Sequence, residues 1–181
     1  MDDARGVTVW LTGLPCSGKS SIAELVAGEL RRRGRRVEVL DGDVVRKELS
    51  KGLGFSREDR DTNVRRIGFV AHLLTRNGVI VVVAAVSPYA GIRAEVRQRI
   101  GDFVEVHVSC PLSECERRDV KGMYAKARSG EITAFTGVSD PYETPQAPEL
   151  RVDTLEQTPE QSANAVLGRL EELGHSLGSL P

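Results

Sequence analysis

Apolar residues along this chain alternate between short solid runs and longer spaced patterns. Val7–Thr12 is a β-branched run stopped by Gly13, and residues 37–40 form another, stopped by Asp41-Gly42-Asp43. Residues 79–86 are apolar throughout, as in a strand covered on both faces of a parallel sheet. Residues 103–108 and the short Leu150–Asp153 read as further strands. Between these runs the spacing turns helical. From Lys19 onward, Ile22, Leu25, Val26 and Leu30 share a side, and the basic residues 31–33 and Gly34 suit a helix C-terminus. Ser56 to Asp59 looks like a helix start, followed by Val64, Ile67, Val70, Ala71 and Leu74 and stopped by Asn77-Gly78. Helices are also predicted over about 92–100, from Leu112, and over 160–173. Strands alternating with helices predict an α/β fold in three layers. Residues 130–149, with Pro141, Pro145 and Pro148, are irregular and longer than an ordinary connection; such loops often carry function.

Composition narrows the class. A length of 181 residues, 40% hydrophobic and 28% charged, fits one soluble globular domain over 1–181. A net charge of −1 argues against a global electrostatic grip on nucleic acid. Cys16, Cys110 and Cys115 form no paired motif and read as reduced thiols, which points to the cytoplasm. The opening residues are polar, and no apolar run approaches the roughly 20 residues of a membrane helix, so no membrane partner is expected. His72, His107 and His175 have no evident partners and read as structural or surface residues.

The chemistry starts at Gly13-Leu14-Pro15-Cys16-Ser17-Gly18-Lys19-Ser20, which satisfies G-x-x-x-x-G-K-[ST] between a predicted strand and a predicted helix. Glycines let backbone N–H groups curl around phosphate oxygens, and the helix N-terminus adds partial positive charge. Lys19 would reach the β- and γ-phosphates of a nucleoside triphosphate, and the Ser20 hydroxyl would ligate Mg²⁺. Ser21 continues the loop into the helix. The predicted strand at 79–86 ends without an acid, whereas the one at 37–40 runs into Asp41 and Asp43. Carboxylates at that edge lie where α/β proteins bind ligands. One can take a substrate hydroxyl's proton and the other can orient Mg²⁺; the plainer alternative is a turn with capping duty.

Further blocks carry a resemblance. Leu40-Asp-Gly-Asp-Val-Val-Arg46, Leu53-Gly-Phe-Ser56, Asp59-Arg60-Asp-Thr-Asn63 and Val86-Ser-Pro-Tyr89 come first, in order. Arg118-Asp-Val-Lys-Gly-Met-Tyr124, Ala127-Arg-Ser-Gly-Glu131, Phe135-Thr-Gly137 and Pro141-Tyr-Glu143 follow. Together they resemble the adenylylsulfate (APS) kinases over about residues 7–150. The resemblance implies transfer of a phosphoryl group from MgATP to the 3′-hydroxyl of APS, giving ADP and 3′-phosphoadenylyl sulfate. It implies a P-loop kinase fold with a parallel five-stranded sheet, a helical lid over about 117–137, and a homodimer. It also implies an APS site of Asp41, Asp43, Arg46, Phe55, Arg60, Asn63, Val86, Ser87, Lys121, Ala134 and Phe135. Asp43 would be the base for the 3′-hydroxyl, with Lys19 and Lys121 as further catalytic groups, and Asp41 would join Ser20 at Mg²⁺. Phe55 and Phe135 would stack on the acceptor's adenine, worth roughly 1–3 kcal/mol per base. Arg60 and Asn63 share a helix face and suit a sulfate–phosphate anhydride, while Arg65 and Arg66 read as solvated surface. Arg118 and Arg128, with Lys121, would close over the triphosphate from the lid, or Arg118 would stack on the ATP adenine. Ser87 matches a serine described in some members as a phosphorylated intermediate; direct in-line transfer is favoured here, with Ser87 contacting substrate.

Departures from the family pattern lie at Pro15, Cys16 and Ser17, where small residues are usual, at Val44 and at residues 90–92; they bear on substrate affinity more than on reaction type. Rival readings are a P-loop kinase for another small hydroxyl compound and a nucleotide-binding regulator without turnover. The chain has no room for an ATP sulfurylase domain, so APS is expected from a separate protein.

Overall fold

A computed structural model of the chain describes residues 5–179; the first four residues, part of the polar opening noted above, and the last two lie outside the described residues. Five parallel strands form one sheet: β1 (Val7–Thr12), β2 (Val37–Asp41), β3 (Ile80–Ala84), β4 (Phe103–Ser109) and β5 (Leu150–Asp153), in the order β2-β3-β1-β4-β5. The order reverses at β1, which pairs Val9 with Val82 on one side and Val104 on the other. A chain leaving β1 therefore emerges at the crevice where α/β sheets take ligands.

Side-chain alternation along β1 divides the core. Val7, Val9 and Leu11 face one layer, where they meet Ile22, Val26 and Leu30 of α1 (Lys19–Arg32) and Val166 and Leu170 of α7 (Pro159–Glu172). Trp10 faces the other, with Val64, Ile67 and Ala71 of α3 (Arg57–Thr75) and Ile92, Val96 and Ile100 of α4 (Ala90–Ile100). The predicted three-layer α/β fold with a parallel five-stranded sheet is the observed one. Ser56 caps α3 as its position implied, its hydroxyl accepting from the Asp59 N–H at 3.1 Å.

Two short elements depart from the expected outline. A helix not anticipated after β2, α2 (Gly42–Glu48), starts within Asp41-Gly42-Asp43, where the Asp41 carboxylate accepts from the Asp43 N–H at 2.9 Å and so caps it. The segment expected as a helical lid, about 117–137, holds only the end of α5 (Leu112–Arg118) and α6 (Met123–Arg128), parted by Asp119 and by Gly122 with φ +66°, and is irregular from 129 on. Asp119 itself caps α6, accepting from the N–H groups of Tyr124 at 2.9 Å and Ala125 at 3.0 Å. No described helix is long and apolar enough to cross a membrane.

Candidate active site

A cleft of about 650 Å³ opens along the carboxyl ends of the strands. Its floor is the loop from β1 to α1. Glycine is required at both ends of that loop for different reasons. A Cβ on Gly13 would fall 2.5 Å from the Val108 carbonyl oxygen, and Gly18 holds φ +101°. Cys16 also lies in the left-handed region, at φ +63°. No side chain caps α1 and no acid sits in its first turn, so its leading N–H groups and its positive end are directed at the loop. That is the construction of an anion site.

Lys19 is buried, and its ammonium donates to the Gly13 and Leu14 carbonyl oxygens at 2.9 and 2.7 Å. Burial pulls its pKa down to about 8, against the opposing pull of Cys115, Cys16, Asp43 and Asp41 nearby. Ser20 donates its hydroxyl to Asp41 Oδ2 at 2.6 Å. A hydroxyl and a carboxylate touching beside a phosphate loop are hard oxygen donors of the kind that hold Mg²⁺ together with substrate phosphates. Asp41 caps α2 through Oδ1, as the plainer reading had it, and accepts from Ser20 through Oδ2. Asp43, in the first turn of α2, lines the cleft and is ion-paired with Lys121, which reaches over from the hinge between α5 and α6. That pairing raises the Lys121 pKa.

The opposite wall carries the aromatic residues. Phe55 is 48% exposed, so it is no core residue, and the Arg46 and Arg60 guanidinium groups lie 4.5 and 5.7 Å from its ring centre. Arg60 binds backbone and side chains of two other segments. It donates to the Phe55 carbonyl at 2.9 Å, to the Ala134 carbonyl and to the Thr136 hydroxyl at 2.6 Å. It also pairs with Asp140 at 3.5 Å. These contacts make Arg60 a brace between the two segments that carry Phe55 and Phe135. Asn63 lines the cleft beside it, buried, with Oδ1 left without a partner. Such an orphan is costly unless a ligand supplies a donor.

Other sequence expectations sort by position. Pro15, Cys16, Gly18, Lys19, Ser20, Ser21, Asp41, Asp43, Arg46, Phe55, Arg60, Asn63, Val86, Ser87, Arg118, Lys121 and Phe135 all line the cleft. Gly13, Leu14 and Ser17 lie behind the loop surface, and Ala134 contributes its carbonyl to Arg60. Arg128 does not reach the cleft: it is exposed on α6 and paired with Glu116 on α5. Ser87 is 2% exposed at φ +39°, its hydroxyl accepting from the Trp10 indole at 3.0 Å and donating to the Ala85 carbonyl at 3.2 Å. Esterifying the Ser87 hydroxyl would remove its hydrogen bond to the Ala85 carbonyl. Arg65 pairs with Glu95 of α4, and Arg66 donates to the Leu49 carbonyl, so neither is simply solvated. His107 is buried and stacked on Tyr142, with its pKa lowered to about 4 by burial; no histidine lines the cleft.

Several contributors escaped the sequence reading. Thr154, just past β5, donates to the Ser17 carbonyl at 2.8 Å and accepts from Arg118, and Gln157 lies beside it on the cleft wall. Its place at a strand's carboxyl end was the available signal. Arg93, buried in α4, donates to the Ser87 carbonyl at 2.7 Å, the Glu143 carbonyl at 2.6 Å and Glu105 at 3.0 Å. It thereby fixes the turn after β3. Nothing in the spacing of α4 distinguishes it from a surface arginine.

Comparison with known proteins agrees with this geometry. Residues 5–153 match the model of the adenylylsulphate kinase family. The chain is 61% identical over 171 residues to the adenylyl-sulfate kinase of Picosynechococcus sp., covering 94% of this chain and 97% of that protein. It is 60% identical to that of Rippkaea orientalis, covering 94% of each. The structure of the Mycobacterium tuberculosis APS kinase CysC in complex with AMPPNP and APS superimposes with a TM-score of 0.89 at 49% identity, covering 92% of this chain and 98% of that one.

Proposed function

The chain belongs to the adenylylsulphate kinase family, and from that premise we propose how its own residues carry the reaction. It is an ATP-dependent adenylyl-sulfate kinase that converts APS to 3′-phosphoadenylyl sulfate. One observation supports the assignment of roles above all others. A single cleft joins the phosphate loop, the carboxylate of Asp43 and the two rings of Phe55 and Phe135.

In this reading the ATP phosphates lie on the N–H groups at the start of α1, with Arg118, Thr154 and Gln157 at the nucleoside end. Lys19 leaves the Gly13 and Leu14 carbonyls and takes phosphate oxygens instead. Ser20 and Asp41 would hold Mg²⁺, which would supply neutralisation of the phosphate charge. The acceptor adenine stacks between Phe55 and Phe135, and Asn63 Oδ1 receives one of its donors. Arg60 supports this by holding both rings' backbones rather than by touching the anhydride. Asp43 takes the proton of the 3′-hydroxyl as that oxygen attacks the γ-phosphorus and the bond to the leaving ADP oxygen breaks. Lys121, paired with Asp43, swings from it toward the transferring phosphoryl group as the hydroxyl arrives. Ser87 shapes the acceptor wall, and transfer is direct.

We carry over from the resemblance a single catalytic domain, a homodimer, a cytoplasmic setting and a separate ATP sulfurylase as the source of APS. Light scattering on the purified chain tests the dimer. Product identification tests the whole. ATP plus APS should give ADP and 3′-phosphoadenylyl sulfate in equal amounts, and a panel of nucleosides and sugar acids should give little. Faster turnover of a sugar acid would move the assignment to another small-molecule kinase, because such an acceptor has no use for two aromatic faces.

A further inference from the structure

One side chain of the lid touches both halves of the cleft. Tyr124, on α6, is 1% exposed; its hydroxyl donates to the Pro15 carbonyl at 2.9 Å, and its ring meets Phe135 edge-on with centroids 5.0 Å apart. Pro15 has no N–H, so that carbonyl is its only backbone hydrogen-bonding group. Burial raises the Tyr124 pKa above the ordinary phenol range, so the hydroxyl stays a donor. The Asp119 carboxylate holds the Tyr124 N–H at 2.9 Å, which roots the side chain at the lid hinge. A second contact runs in parallel: a Cβ on Gly137 would lie 3.0 Å from Leu14 Cδ2, so the segment carrying Phe135 packs directly on the phosphate loop. Arg60 then ties that segment to the Phe55 carbonyl.

We propose that Tyr124 is a positioning residue that couples the two substrate sites. A shift of the phosphate loop at Pro15 on nucleotide binding moves Tyr124, and through it the ring of Phe135 on which the acceptor rests. This rests on the functional reading above, which makes Phe135 the acceptor's shelf. Because coupling of equilibrium affinities is reciprocal, APS must change nucleotide affinity by the same factor as nucleotide changes APS affinity. Packed interiors transmit such shifts because they deform little.

The test is calorimetric titration of APS into the full-length protein, alone and saturated with a non-hydrolysable ATP analogue. The ratio of the two affinities is the coupling factor, expected at about fivefold or more in the parent. Tyr124→Phe keeps the buried ring and the fold but removes the hydrogen bond. It should move the factor about two- to tenfold toward one, leaving nucleotide affinity measured alone within about twofold. Tyr124→Leu, which also loses the ring contact, should move it further, with thermal unfolding reporting whether the fold survives. The reverse titration must return the same factors. An unchanged factor in Tyr124→Phe, or a parent factor of one, overturns the proposal while leaving the enzyme's function standing. A parent that binds no APS in either condition sinks the functional reading, and the coupling with it.

Discussion

The donor and acceptor sides of the cleft are built by different means. The donor side is backbone: one loop between β1 and α1 supplies the anion site from consecutive residues, and its lysine is buried within it. The acceptor side is side chains from distant segments. Arg60 spans a sequence separation of 76 residues to reach Thr136, Phe55 stands half exposed, and Lys121 sits on an exposed hinge. A phosphate is the same in every nucleotide, so a fixed local loop serves it. An acceptor must be distinguished, and discrimination draws on several surfaces held in register. Substitutions should accordingly separate the two sides: donor changes abolish transfer to any acceptor, and acceptor changes alter which one is used.

The largest expected effect lies where the sides meet. Asp43→Asn keeps the size of the side chain and loses its basicity, so kcat for APS should fall about 10²–10⁴-fold with ATP binding little changed. A fall below about tenfold would reduce Asp43 to a positioning group. Asp41→Asn is the contrast. Asn also caps helices well, so α2 should persist. The loss should appear as a raised Mg²⁺ requirement that added Mg²⁺ partly restores. If Asp41→Asn is the more damaging at saturating Mg²⁺, the two carboxylates have been assigned the wrong way round.

Next comes the loop. Lys19→Ala removes the group meant for the β- and γ-phosphates and should lower kcat about 10²–10³-fold by steady-state assay, with circular dichroism unchanged. Turnover near the parent rate with ATP still saturating would break the donor side of the comparison. Phe55→Ala should act on the other side alone. Stacking of roughly 1–3 kcal/mol corresponds to about five- to 150-fold weaker APS binding, with ATP binding unaffected. Equal losses for both substrates would mean that the ring supports the cleft as a whole, through Arg46 and Arg60, rather than one substrate.

The same division decides what could be read from the residues. The phosphate loop was legible because its determinants are contiguous and glycine has few substitutes at Gly13 and Gly18. The sheet and the large helices were legible because β1 and β3 are buried on both faces and α1 and α7 keep a helical stripe. Helix α2 was not, since Gly42 begins it and its cap, Asp41, reads equally as a turn or as a metal ligand. The acceptor residues came through family resemblance, which gave their place in the cleft but not their partners within the protein. Arg60 lines the cleft as expected, and its donors go to the Phe55 and Ala134 carbonyls and the Thr136 hydroxyl; Ser87 lies in the wall, with its hydroxyl on Trp10 and Ala85. Local sequence does not encode which partner a long side chain finds across the fold. Arg93 and Tyr124 were missed for that reason.

The smallest effect is the most direct measure of the contrast between the two lysines. Lys19 is buried and its pKa is lowered to about 8; Lys121 is exposed and its pKa is raised by Asp43. Phosphate oxygens favour the charged ammonium, so nucleotide binding must lift the Lys19 pKa above its free value. Below about pH 8 the free loop and the complex both hold the proton, and affinity should be flat. Above it the free loop holds fewer protons than the complex, so binding takes one up and affinity falls as pH rises, by at most about tenfold per unit. Calorimetry of ADP binding between about pH 7 and 9.5, in buffers of different ionisation enthalpy, reads both the slope and the proton uptake. Lys19→Arg should flatten the profile, because a guanidinium keeps its charge throughout. Cys16 lies in the same loop, so Cys16→Ser must leave the slope in place if Lys19 is its source. A flat parent profile would mean that Lys19 keeps its proton despite burial. The two lysines would then differ in position and not in charge.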